Sequence, residues 1–189
     1  MTTRTSPGTT VLRIDGGSRG NPGPAAFAVV VEGADGARLD ALSKFLGETT
    51  NNVAEYEGLL AALNYVLRHK LPRVKVISDS ELLVRQMQGR YKVKSDYLKP
   101  LFQQAQEMAR KLEEFSIEHV RREQNREADR LVNEALDAAQ AGGLPRLKQD
   151  SFALPLRTTA TYQAGALKLS RPLPLADGEI VEIEIRRKT

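Results

Sequence analysis

The 189-residue chain has no cysteine, which excludes disulfide bridges and thiolate metal sites. It has two histidines, His69 and His119. A metal site would therefore be built mainly from oxygen ligands, the donor set of Mg²⁺ or Mn²⁺ rather than zinc. No apolar run reaches membrane-spanning length, and the opening "MTTRTSPGTT" lacks the apolar segment of a signal peptide. No membrane association and a cytoplasmic location are the resulting expectations. Tryptophan is absent and aromatics make up only 5% of residues. The net charge of +4 suits a polyanionic partner without specifying one.

What is present is ordered as strands, then strands alternating with helices. Val11 to Asp15 ends in a carboxylate followed by the glycine-rich "GGSRGNPGP". "AAFAVVVEG" predicts a second strand, "GADG" a hairpin, and "RLDALSKFLGE" a third, antiparallel strand. "TTNN", Thr49 to Asn52, supplies helix-capping residues. Tyr56, Leu59, Leu60, Leu63, Val66 and Leu67 then follow helical spacing. "RVKVISD" predicts a fourth strand ending at Asp79, followed by a short helix closed at Gly89. "LFQQAQEMARKLEEF" predicts another helix and "SIEHVRRE" a fifth strand. A last helix runs from Asn125 with Ala128, Leu131, Val132, Ala135, Leu136 and Ala139 on one face. Three strands joined by hairpins and then an alternation with helices imply an α/β fold, a mixed sheet with helices packed on it.

Four acids occupy comparable places. Asp15 and Asp79 end strands that, if parallel neighbours, bring their tips to one edge of the sheet. Glu55 is expected in the first turn of its helix, leaning toward the buried face. Asp129 lies beside the apolar face of the last helix. Singly, each has a plainer explanation as a cap or as a favourable charge at a helix start. Together they would repel one another unless a cation neutralised them, and hard divalent ions meet that need. Two such ions about 3.5–4 Å apart can serve both the attacking and leaving oxygens of a phosphodiester.

"IDGGSRGNPGP", "TTNNVAEYEGLLAAL", "VISDSELLVRQMQG" and "HVRREQNREADRLVNEAL", in that order, resemble type 1 ribonuclease H over about residues 10–140. The resemblance implies a five-stranded mixed sheet flanked by helices. It implies an endonuclease that hydrolyses the RNA strand of RNA–DNA hybrids, leaving 5′-phosphate and 3′-hydroxyl ends. It also implies two Mg²⁺ ions, with Mn²⁺ as a substitute, on Asp15, Glu55, Asp79 and Asp129. Gly16 and Gly17, with Gly20 and Gly23, would let a nucleic-acid backbone approach closely. Asn21, Thr50, Asn51 and Asn52 match positions along the minor groove of the hybrid, where amide and backbone groups can read the 2′-hydroxyl without base specificity.

The chain departs from the family pattern in three places. Glu123 stands where many members carry a mobile histidine, which makes it an accessory candidate. Glu81 replaces a glutamine that often contacts substrate. The tryptophan-containing basic handle of some members is reduced to "GRYKVKSDYLKP", whose Arg90, Lys92, Lys94 and Lys99 suit phosphates or solvent equally.

The expected organisation is a polar tail (1–9), a catalytic domain (10–140), a linker (141–150) and a small β unit (151–189). The last resembles small β domains of antitoxin-like proteins, with Val181, Ile183 and Ile185 on one face of a strand. So short a unit rarely holds a fold alone, so docking or a homodimer is expected. Two alternatives to the ribonuclease reading are a non-catalytic hybrid-binding or toxin-neutralising module and a DNA-directed nuclease or transposase of related fold.

Overall fold

A computed structural model of the chain describes residues 8–141, 160–163 and 166–169. The chain divides into two compact units, Met1–Leu154 and Pro155–Thr189. In the first, β1 (Thr10–Ser18), β2 (Gly23–Glu32) and β3 (Arg38–Thr49) precede α1 (Asn51–Arg68), β4 (Arg73–Ser78), α2 (Glu81–Met87), α3 (Leu98–Ala109), β5 (Glu114–His119) and α4 (Arg126–Gln140). The sheet order is β3-β2-β1-β4-β5. The first three strands are antiparallel, while β4 and β5 run parallel to β1. This is the expected α/β architecture, a five-stranded mixed sheet with four helices.

Alternation along β2 explains why both faces of the sheet are covered. Phe27, Val29 and Val31 join Leu12 and Ile14 of β1 in a large core under α1 and α3. Ala26 and Ala28 point the other way and pack with Val132, Ala135 and Leu136 of α4. Bulky side chains fill the thick side, and alanines let α4 lie close on the thin side.

Three local expectations are corrected. β1 does not stop at Asp15. It continues through Gly16 and Gly17 to Ser18, paired with β2 as far as Ala25. What ends near Asp15 is the parallel pairing with β4, whose last partners are Ile14 and Ser78. Asp15 thus sits where the sheet narrows from two neighbours to one. Second, Glu55 is the fifth residue of α1, so it lies beyond the first turn, where an acid favours the helix dipole. Third, β5 begins at Glu114, two residues earlier than the sequence pattern suggests.

Gly16 also has a different reason to be bare. A Cβ there would lie 2.3 Å from the backbone of Ala54 and Glu55. The missing side chain lets α1 pack directly against β1, which brings Glu55 beside Asp15.

In the second unit, β6 (Ala160–Gln163) and β7 (Ala166–Leu169) pair antiparallel. The expected linker and the strand carrying Val181, Ile183 and Ile185 lie outside the described residues.

Candidate active site

The carboxylates come from four elements. Asp15 is on β1, Glu55 on α1, Asp79 directly follows β4, and Asp129 is in the first turn of α4. Asp15 and Glu55 are 7% and 6% exposed, values that an uncompensated carboxylate does not tolerate in its charged form. Burial, followed by the charges of Asp79 and Asp129, pushes Asp15 up to about 7. Burial pushes Glu55 well above the carboxylate range, with Asp15 and Asp79 adding to it and a hydrogen bond from Asn51 opposing. The four acids therefore act on one another across a shared site.

Glu55 Oε2 is fully buried and has no hydrogen-bond partner among the described residues. Asp129 is compensated differently. Its Oδ1 accepts hydrogen bonds from Nε and Nη2 of Arg122, in a single 3₁₀ turn (Arg122–Gln124) before α4. Among the described residues no three acidic or imidazole side chains converge on a point ready to hold an ion. The donor chemistry nevertheless fits hard divalent cations: carboxylates of four elements, mutual repulsion, and a buried oxygen left without a partner.

Two residues of this region escaped the sequence reading. Arg122 brings a guanidinium into the field of Asp15, Glu55 and Asp79 as well as Asp129. Asn125, 1% exposed, donates from Nδ2 to the carbonyl of Ile14 (2.8 Å) and to Asp79 Oδ1 (3.0 Å). The only sequence signal for Asn125 was a cap-type residue before the last helix.

Asn21 Oδ1 accepts from the Asn51 backbone N–H (3.2 Å), which ties the glycine-rich turn to the start of α1. Thr50 caps that helix, its hydroxyl accepting from Val53 N–H (3.4 Å), and Asn52 is exposed beside it. Gly16 is buried and Gly17 half-buried on β1. Glu123 is exposed in the turn next to Arg122. Arg90, Lys92, Lys94 and Lys99 are all exposed, and Lys99 also pairs with Asp96 (2.6 Å). The guanidinium of Arg85 lies over the Tyr91 ring, 5.1 Å from its centre.

No helix among the described residues is long and apolar enough to cross a membrane.

Comparison with known proteins fits this arrangement. The family model described as "Reverse transcriptase-like" matches residues 13–135. The bifunctional protein Rv2228c of Mycobacterium tuberculosis is 48% identical over 130 residues, which are 68% of this chain and 36% of that protein. The chain therefore spans about a third of that relative's length. Ribonuclease HI of Halobacterium salinarum is 38% identical over 125 residues, 66% of this chain and 63% of that one. A crystal structure of LC11-RNase H1 in complex with an RNA/DNA hybrid superposes with a TM-score of 0.67 at 45% identity, covering 70% of this chain and 99% of that chain. Strand order and relatives agree: the chain belongs to the reverse transcriptase-like family, and residues 13–135 are its ribonuclease H-like domain.

Proposed function

We propose that this domain is an endonuclease that hydrolyses the RNA strand of RNA–DNA hybrids, leaving 5′-phosphate and 3′-hydroxyl ends. The observation that carries the reading is the buried pair Asp15 and Glu55, with Asp79 close enough to raise the proton affinity of both and Asp129 that of Asp15. Such a cluster is costly to a fold unless cations complete it. Asp15, Glu55, Asp79 and Asp129 are the residues that would hold two Mg²⁺ ions, or Mn²⁺ in their place. When bound, the ions supply positive charge to the attacking water and the departing 3′ oxygen.

The chain's own residues do the rest. Asn21 and Asn51, already joined through the Asn51 N–H, form a continuous polar surface with Thr50 and Asn52. Those amide and hydroxyl groups suit 2′-hydroxyl recognition along a minor groove. Gly16 and Gly17 serve the site indirectly, because their missing side chains let α1 and α4 pack close beside Asp15. Glu123 is an accessory group at the rim. Residues 151–189 are read as a separable unit for docking or for self-association as a homodimer.

A direct test offers the full chain a matched hybrid, an RNA duplex and a DNA duplex with Mg²⁺ or Mn²⁺. Cleavage confined to the RNA of the hybrid is the expected result. Metal-dependent cutting of the DNA duplex at a similar rate would favour a DNA-directed nuclease instead.

A further inference from the structure

We infer that Asn125 is a positioning residue that sets Asp79 and ties three of the four carboxylate-bearing elements into one frame. The inference rests on the proposed metal-dependent reading of the acids. Its side-chain amide donates both of its bonds to acceptors, the Ile14 carbonyl at 2.8 Å and Asp79 Oδ1 at 3.0 Å. With an acceptor at each end, only the Nδ2 orientation satisfies both. Ile14 is the residue before Asp15, so one bond fixes the turn against β1 at the carboxylate's base. The other holds one oxygen of Asp79 and leaves its second oxygen unconstrained by this contact. The Asn125 main-chain carbonyl accepts from the Asp129 N–H (3.1 Å), which seats the first turn of α4. One residue thereby touches the chain at Ile14, directly before Asp15, at Asp79 and at Asp129.

The turn is held from a second side. Arg13 Nη1 donates to the Gln124 carbonyl (3.1 Å), while its Nε pairs with Glu32 (2.9 Å). The frame therefore does not depend on Asn125 for folding alone, and a shortened side chain should lose alignment before it loses the turn. Asn125 Oδ1 is buried and unpartnered among the described residues, so the amide is kept at a cost that simple capping does not explain. No other side chain hydrogen-bonds Asp79 among the described residues. Groups that orient a metal-binding carboxylate typically change metal affinity or activity by about 10–100-fold when removed.

The test compares the full-length wild type with Asn125→Ser and Asn125→Ala. Serine keeps a good helix-capping group but is too short to reach both acceptors. Gln88→Ala serves as a control, because it removes a tertiary bond to the Ile117 carbonyl (2.9 Å) without touching the acids. Mn²⁺ binding is followed without nucleic acid by calorimetry or electron paramagnetic resonance, alongside the Mn²⁺ dependence of hybrid cleavage. The expected result for Asn125→Ser is Mn²⁺ affinity weakened about tenfold or more, partial rescue of the rate by excess metal, and a hybrid KM that changes little. Gln88→Ala should lower the melting temperature while leaving the Mn²⁺ titration unchanged. If Asn125→Ala fails to fold, Asn125→Ser carries the comparison. Wild-type Mn²⁺ affinity in a folded Asn125→Ser protein, with only stability lost, would overturn the positioning role. A wild type that binds no Mn²⁺ would instead overturn the metal-dependent reading itself, and this inference with it.

Discussion

Two carboxylates on two helices are treated in opposite ways. Glu55 on α1 is 6% exposed and one of its oxygens has no partner among the described residues. The Asp129 side chain on α4 is 27% exposed and held by Arg122. The α1 side of the site leaves its charge for something outside the chain to answer. The α4 side carries its own counter-charge in the turn that precedes it. The difference accompanies packing: α1 is pressed onto β1 over Gly16, and Glu55 is buried with it. The 3₁₀ turn before α4 stands open to solvent, where a guanidinium can reach.

The comparison is sharpened most by substituting both acids with their amides. Glu55→Gln and Asp129→Asn should each reduce metal-dependent cleavage by about a hundredfold or more, equivalent to about 3 kcal/mol of barrier. Their effects on the metal-free fold should differ in sign. Glu55→Gln removes a buried acid whose proton affinity burial raises, and should stabilise the metal-free fold near neutral pH. Asp129→Asn removes the partner of an exposed arginine and should cost between zero and about 1 kcal/mol. Urea titrations without metal check both, and stabilisation of equal size by the two variants would erase the distinction.

Asp15 belongs with Glu55 in this contrast and makes it pH-dependent. Its proton affinity is raised by folding, to about 7 from 3.8, so the native state holds more protons than the unfolded chain between those values. Stability of the metal-free protein should therefore be greatest at low pH on this account and fall as pH rises through about 7. Asp15→Asn should flatten that slope. Saturating Mg²⁺ should do the same in the wild type. Unfolding curves between pH 5 and 8 read all three.

Smaller effects are expected in the solvent-facing turn. Arg122→Ala should change metal-free stability by less than about 1 kcal/mol, since its pair with Asp129 is exposed. Glu123→Ala should leave hybrid cleavage within about threefold of wild type, since Glu123 holds no metal in this account. A loss as deep as that of Glu55→Gln would show that the turn supplies a ligand.

Much of this site was legible in the sequence because its carriers are local patterns. The alternation of β2, the helical spacing after Thr50 and the carboxylate after "VIS" each announce themselves within a few residues. The resemblance over four ordered segments then placed the acids together. Long-range relations were not legible. Asn125 meets Ile14 across 111 positions, and nothing in "EQNREAD" distinguishes that asparagine from an ordinary cap. Arg122 looked like one basic residue in a basic stretch. β1 was cut short at Asp15 because paired glycines signal a turn. Here they continue the strand, since α1 and α4 pack where side chains would stand: a Cβ on Gly17 would meet Val132 at 3.1 Å. Glu55 was set one turn too early because the exact helix start depends on Thr50 acting as the cap.

Asp15, Glu55, Asp79 and Asp129 are proposed to serve metal-dependent cleavage of the RNA in a hybrid. The most direct measurement follows an end-labelled RNA–DNA hybrid with the wild type and Asp15→Asn, each with and without Mg²⁺ or Mn²⁺. The expected result is RNA cleavage by the wild type only when metal is present, new 5′-phosphate ends, and almost none by the folded variant. Cleavage by Asp15→Asn at the wild-type rate, or a wild type that binds the hybrid and both metals yet leaves the RNA intact, would contradict it.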